Sequence, residues 1–129
     1  MLLLIQANIL TVGLEGKAEA FEYLPIELIE TQTAFSAARS LKSKKIDSVI
    51  SMWDLVDMTG GEFIHRLRRV KPEIPTIVLV ESGNARQEIA ARAAGASVVF
   101  GDDVADHILG EALESILRLK VASVKRAAV

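Results

Sequence analysis

The sequence contains no cysteine, which excludes disulfide bonds, thiol catalysis and thiolate metal sites. Aromatic residues make up 5% of the chain and the net charge is −2, so neither feature favours a nucleic-acid partner. The apolar runs are far shorter than a membrane span, and the first residues lack the basic segment of a signal peptide. We therefore expect a cytoplasmic protein that contacts neither a membrane nor nucleic acid directly.

The chain has 129 residues, half of them hydrophobic, which fits one domain with a substantial core. Short apolar runs predict five strands, at residues 2–5, 26–30, 46–52, 76–80 and 97–100. Helical patterns follow each of them, at residues 8–23, 34–44, 62–70, 85–94 and 104–121. We place the domain at residues 1–121 and regard residues 122–129 as a basic tail or the start of a linker.

The alternation of strands and helices predicts an α/β fold with a doubly wound, five-stranded parallel sheet. In such sheets the functional residues lie outside the carboxyl ends of the strands. The residues that follow the predicted strands are Gln6, Ala7, Asn8, Met52, Trp53, Asp54, Val80, Glu81, Ser82, Gly101, Asp102 and Asp103.

Three segments carry a resemblance to the receiver domains of bacterial response regulators. Residues 47–60 resemble the third strand and following loop of that family, and residues 74–80 its fourth strand. Residues 94–97 resemble its Ala-Gly-Ala turn before the fifth strand. The resemblance covers nearly the whole chain, and it implies the flavodoxin-like (βα)5 receiver fold and a role in two-component or phosphorelay signal transduction.

Two positions of that pattern have lost the residues that perform phosphoryl transfer. Active receivers end the third strand with a phosphoaccepting aspartate, where this chain has Met52, whose thioether has no nucleophilic oxygen. Receivers also hold Mg²⁺ with an acidic pair after the first strand. We match that pair to Gln6, Ala7 and Asn8, which offer only neutral oxygen ligands, so Mg²⁺ should bind poorly.

Three further positions also differ from the family. Val80 stands where receivers have a serine or threonine, and Val99 replaces the switch aromatic residue of the fifth strand. Asp102 replaces the lysine that neutralises phosphate, and a carboxylate there would repel it. We therefore predict a pseudo-receiver that is not an enzyme, has no cofactor or metal, and acts by phosphorylation-independent protein–protein interaction.

A partner surface is also implied by the resemblance, since receivers dimerise or dock partners through the fourth helix, fifth strand and fifth helix. We expect a signalling protein or a second copy to bind there, and we assign Val99, Leu109 and Leu113 to that surface. Trp53 is a further candidate, either as an exposed binding hot spot or as a side chain that covers Met52.

The sequence also allows two alternative functions. A genuine response regulator would be phosphorylated at a non-standard aspartate such as Asp54. A small-ligand or metal-binding α/β domain would use the altered pocket, with Glu81, Asp102 and Asp103 beside Asp54 as cation ligands.

The remaining charged residues are interpreted as solvated helix faces. His65 and His107 fall on predicted helices without a catalytic neighbour. The basic residues of the second and third predicted helices are Arg39, Lys42, Lys44, Lys45, Arg66, Arg68, Arg69 and Lys71. We expect these side chains to face solvent.

Overall fold

In a computed structural model that describes residues 6–127, and only the backbone in 119–127, the chain forms one sheet covered on both faces. The strands are β1 (Ala7–Val12), β2 (Ile26–Thr31), β3 (Ser48–Met52), β4 (Thr76–Val80) and β5 (Val98–Gly101). The helices in that part of the chain are α1 (Ala34–Ser43), α2 (Gly60–Val70), α3 (Ala85–Ala94) and α4 (Asp106–Ala127). All neighbouring strands are parallel, in the order β2-β1-β3-β4-β5.

Local signals in the sequence set the ends of most helices. The side-chain oxygens of Thr33, Thr59 and Asn84 each accept a hydrogen bond from the backbone N–H three residues further on, at the start of α1, α2 and α3. Because Thr59 is the cap, α2 begins two residues before the predicted start at residue 62. Gly95 ends α3 with a φ of 110°, a conformation that favours glycine.

The first part of the chain differs from the prediction. The predicted strand at residues 2–5 lies outside the described residues, and the predicted helix at 8–23 is wrong, because β1 occupies Ala7–Val12. Only a short 3₁₀ turn, Ala18–Phe21, lies between β1 and β2. Asn8 does not cap a helix: its amide Nδ2 donates to the carbonyl oxygen of Lys45 at 2.8 Å, across the amino edge of the sheet.

Two hydrophobic cores lie on opposite faces of the sheet. Helices α1, α2 and α3 cover the first core, which includes Val49, Phe63 and Val78. The second core includes Ile9, Ile50 and the buried side chains of α4, together with the 3₁₀ turn. Since one turn replaces the predicted first helix, α4 supplies most of the helical cover on this second face within the described residues.

Our assignment of Val99, Leu109 and Leu113 to a partner surface is wrong, because the structure buries all three. Leu109 and Leu113 are fully buried in the second core, and Val99 is 8% exposed in the first core, so none of the three side chains is available to a partner. Helix α4 also runs through residue 121, where we predicted its end, to Ala127.

No helix in residues 6–127 is long and apolar enough to cross a membrane.

Arg68 of α2 is not part of a solvated helix face. Its guanidinium reaches the amino edge of the sheet, where it links the loop before β4 to the end of α3 and the start of β5. It donates hydrogen bonds to the carbonyl oxygens of Pro72, Ile74 and Gly95 and to the hydroxyl groups of Thr76 and Ser97. An arginine that we expected to be solvated therefore holds three elements together.

Candidate functional site at the carboxyl edge of the sheet

Strand β1 ends at Val12 and is followed by residues 13–15, which corrects the part of the predicted site that was assigned to the end of the first strand. Gln6 precedes β1, and Ala7 and Asn8 are its first residues, so all three lie at the opposite, amino edge of the parallel sheet. They take no part in a strand-end pocket. The signal for this strand is the run of β-branched and apolar residues at 9–12, which a glycine follows, and the preceding leucine-rich segment obscured it.

Apolar groups fill the corner where β1 and β3 end. Met52 is half-buried against the second core, and Leu14 is 7% exposed. Gly13 has a φ of 74°, and a Cβ placed on it would lie 3.1 Å from Leu55 Cδ2 and 3.6 Å from Met52 Cβ. Glu15, which follows Leu14, is exposed. The corner therefore presents a thioether and leucine carbons, which are poor ligands for Mg²⁺ or a phosphoryl group.

The ends of β4 and β5 form the other side of the site. Val80 is 4% exposed and packs into the first core, so it offers no hydroxyl group. The backbone N–H of Asp102 donates to the carbonyl oxygen of Val80 at 2.7 Å. The Asp102 carboxylate accepts from the backbone N–H of Ser82 at 3.2 Å and remains exposed. Asp102 thus joins the two loops and places a negative charge at this edge.

Trp53 and Met52 pack on opposite faces of the sheet. The indole packs against the first core, and a Cβ placed on Gly61 would lie 2.7 Å from its Cη2 atom. Gly60 is also required, because a Cβ there would lie 2.5 Å from the carbonyl oxygen of Trp53. The half-buried ring therefore covers the first turn of α2, whereas Met52 belongs to the second core, which corrects the interpretation that Trp53 covers Met52.

The acidic residues near this edge are dispersed. Asp54, Glu81, Asp102 and Asp103 are all exposed. In residues 6–127 no group of three or more histidine, cysteine, aspartate or glutamate side chains is arranged to hold a metal ion. The two histidines lie exposed on α2 and α4, as the sequence predicted.

Asp57, in the loop between β3 and α2, has a role that the sequence did not reveal. Its two carboxylate oxygens accept hydrogen bonds from the backbone N–H groups of Ala34, at 3.0 Å, and Phe35, at 2.9 Å. These bonds at the first turn of α1 stabilise the charged carboxylate and lower the pKa of Asp57 below its ordinary value of 3.8. The loop after β3 is thereby attached to α1.

We expect Asp57→Ala to destabilise the protein at neutral pH and to have less effect in acid. A carboxylate with a lowered folded-state pKa stabilises the protein above its unfolded-state pKa, and this contribution is lost as the pH falls through the folded-state value. Urea denaturation at neutral pH and at about pH 3 measures the difference between wild type and variant. Asp54→Ala, in the same loop, is the control. A difference that stays constant with pH would contradict the role given to Asp57.

Comparisons with known proteins place the fold. No family model and no curated protein matches the sequence. A signal receiver domain of an HD domain-containing protein from Pseudomonas fluorescens is 23% identical, with 91% of this chain and 98% of that chain covered and a TM-score of 0.82. A CheY-like receiver domain protein from Methanospirillum hungatei is 18% identical, with 92% and 98% covered and a TM-score of 0.82. The chain therefore has the flavodoxin-like fold of response-regulator receiver domains, which confirms the predicted fold class.

Proposed function

We propose that this chain is an atypical receiver domain of a two-component or phosphorelay system, which acts in the cytoplasm through protein–protein contacts and independently of phosphorylation. The proposal rests chiefly on Met52, which ends β3 at the edge where receivers carry their phosphoacceptor. A receiver accepts its phosphoryl group on a carboxylate oxygen, and the thioether of Met52 supplies no such nucleophile.

The surroundings of Met52 support the same conclusion. Mg²⁺ would have to replace part of its water shell with carboxylate oxygens, but Gly13 and Leu14 follow β1 in their place. The carboxylate of Asp102 would repel a bound phosphoryl group. The chain therefore lacks the phosphoacceptor, the acidic metal ligands and the phosphate-binding lysine of a receiver. Together these losses favour a domain whose conformation is set by differential partner binding.

We propose that a partner binds the surface formed by α3, β5 and α4 (the α3–β5–α4 surface). Exposed residues of α3 and α4 replace the buried Val99, Leu109 and Leu113 in this proposal. Ile89 of α3 is 69% exposed and Ile108 of α4 is 39% exposed. Between these helices lies β5, an edge strand of the sheet. Exposed alanines of α3, Ala90 and Ala93, allow close approach of a second surface. Exposed apolar groups beside an edge strand favour association, and we propose a homodimer.

Light scattering at two protein concentrations, with and without acetyl phosphate and Mg²⁺, tests this function. We expect a dimer that the phosphoryl donor does not change, and an increase of about tenfold in its dissociation constant for Ile89→Glu. His65→Glu introduces the same group on α2 and should leave the dimer intact. A wild-type protein that stays monomeric would overturn the homodimer, and a dimer that appears only with the donor would overturn phosphorylation independence.

A further inference from the structure

A groove of about 500 Å³ lies between α1 and α2, on the outer side of the first core. Its floor is apolar and is formed by Ala34, Ala38, Leu41, Met58, Phe63 and Leu67. Two larger side chains that line it are unusually exposed: Phe35 at 68% and Val70 at 72%. Exposed apolar surface of this kind is costly in water and marks sites that another molecule covers.

The polar residues that line the groove are mostly cationic. Lys42, Arg66 and Lys71 line it, with Asp57 as the acidic residue. Both oxygens of Asp57 already accept backbone N–H groups of α1. Arg66 lies 2.7 Å from a carboxylate oxygen of Glu62, which offsets its charge. Neither lysine takes part in an ion pair in the described part of the chain, so they leave the groove with uncompensated positive charge.

The two ends of the groove are lined by different kinds of residue. Helices α1 and α2 each follow a strand of the parallel sheet, so both run from its carboxyl edge towards its amino edge. Phe35 lies in the first turn of α1, whereas Lys42, Val70 and Lys71 lie where the two helices end. Both lysines therefore lie at one end of the groove, and the other end holds Phe35 and the hydrogen-bonded carboxylate of Asp57. The ten residues of α1 span about 15 Å, the length of roughly three helical turns.

We propose that this groove binds an amphipathic, acidic helix of a partner protein. Apolar side chains spaced i, i+3 or i+4 and i+7 would cover Phe35 and the groove floor, and acidic residues at one end would face Lys42 and Lys71. A nucleic acid would use the lysines but would leave the apolar floor uncovered. The site is separate from the α3–β5–α4 surface, and it goes beyond the proposed function because it does not depend on the loss of phosphoryl transfer.

The probe is a fluorescein-labelled helical peptide of about 14 residues, with leucines at the spacing above and glutamates towards one end. Fluorescence anisotropy should show saturable binding. We expect the Lys42→Glu/Lys71→Glu variant to bind about tenfold more weakly, and Phe35→Ser to weaken binding to a similar degree. The same peptide with glutamine in place of glutamate should also bind more weakly.

Arg39→Glu/Lys45→Glu is the matched control, since it reverses two charges of residues that do not line this groove. It should leave the affinity within about twofold. Equal losses in the two double variants would mean non-specific charge attraction and would overturn the proposal, as would absence of saturation at about 1 mM protein. Self-association that Phe35→Ser abolishes and Ile89→Glu does not would place a second copy in the groove, and it too would overturn the proposal.

Discussion

Replacing Leu109 by alanine is expected to lower the free energy of unfolding by about 3 kcal/mol. Leu109 is fully buried in the second core, between α4 and the sheet. Its truncation removes apolar contacts and leaves a cavity. Helix α4 already packs closely against the 3₁₀ turn, because a Cβ placed on Gly110 would lie 2.6 Å from the carbonyl oxygen of Ala20. The helix has little room to move and close the cavity.

The neighbouring residue supplies the control for this prediction. Ile108 is 39% exposed, so Ile108→Ala should cost less than about 1 kcal/mol in chemical denaturation. The two variants also separate core packing from partner binding. Ile108→Ala should lower the free energy of dimerisation by more than it lowers the free energy of unfolding. Equal losses of stability in the two variants would contradict the orientation of α4.

Replacing Arg68 by leucine is expected to cost about 3 kcal/mol of unfolding free energy. The guanidinium donates to three backbone carbonyl groups and two hydroxyl groups at the amino edge of the sheet. Leucine retains part of the apolar stem and leaves these acceptors without their donor. The Gly95 carbonyl, which accepts from both Nε and Nη2, loses two hydrogen bonds.

Two further substitutions separate the geometry of Arg68 from its charge. Arg69→Leu removes the same charge from an exposed neighbour and should change stability by less than about 0.5 kcal/mol. Arg68→Lys retains the charge but loses the planar donor group, so we expect it to lose most of the stability that leucine loses. Full stability of Arg68→Lys, measured by urea denaturation, would show that charge alone is required.

The elements that the sequence predicted well are those with local signals. The β-branched run of β4 is found at the predicted residues, and α3 runs from the predicted cap Asn84 to the predicted end at Gly95. Met52, Val80 and Asp102 lie at strand ends or directly after them, as predicted. The spacing of the apolar runs along the sequence is enough to locate where these strands end.

The errors arise where distant contacts override local preference. Asn8 favours a helix cap, but its amide and backbone bond to the segment before β3, and it enters a strand. Arg68 resembled its exposed neighbours, and its acceptors lie up to 29 residues away along the chain. Asp57 likewise binds the start of α1, 23 residues earlier. No local pattern contains these contacts.

We propose that this receiver fold accepts no phosphoryl group, and intact mass spectrometry is the direct test of that proposal. The protein is incubated with acetyl phosphate and Mg²⁺, beside a conventional receiver domain that confirms the activity of the donor. We expect the mass of this protein to stay unchanged while the control gains one phosphoryl group. A stable phosphoryl adduct on this chain, localised to Asp54 or to any other residue at the carboxyl edge, would overturn the proposed pseudo-receiver.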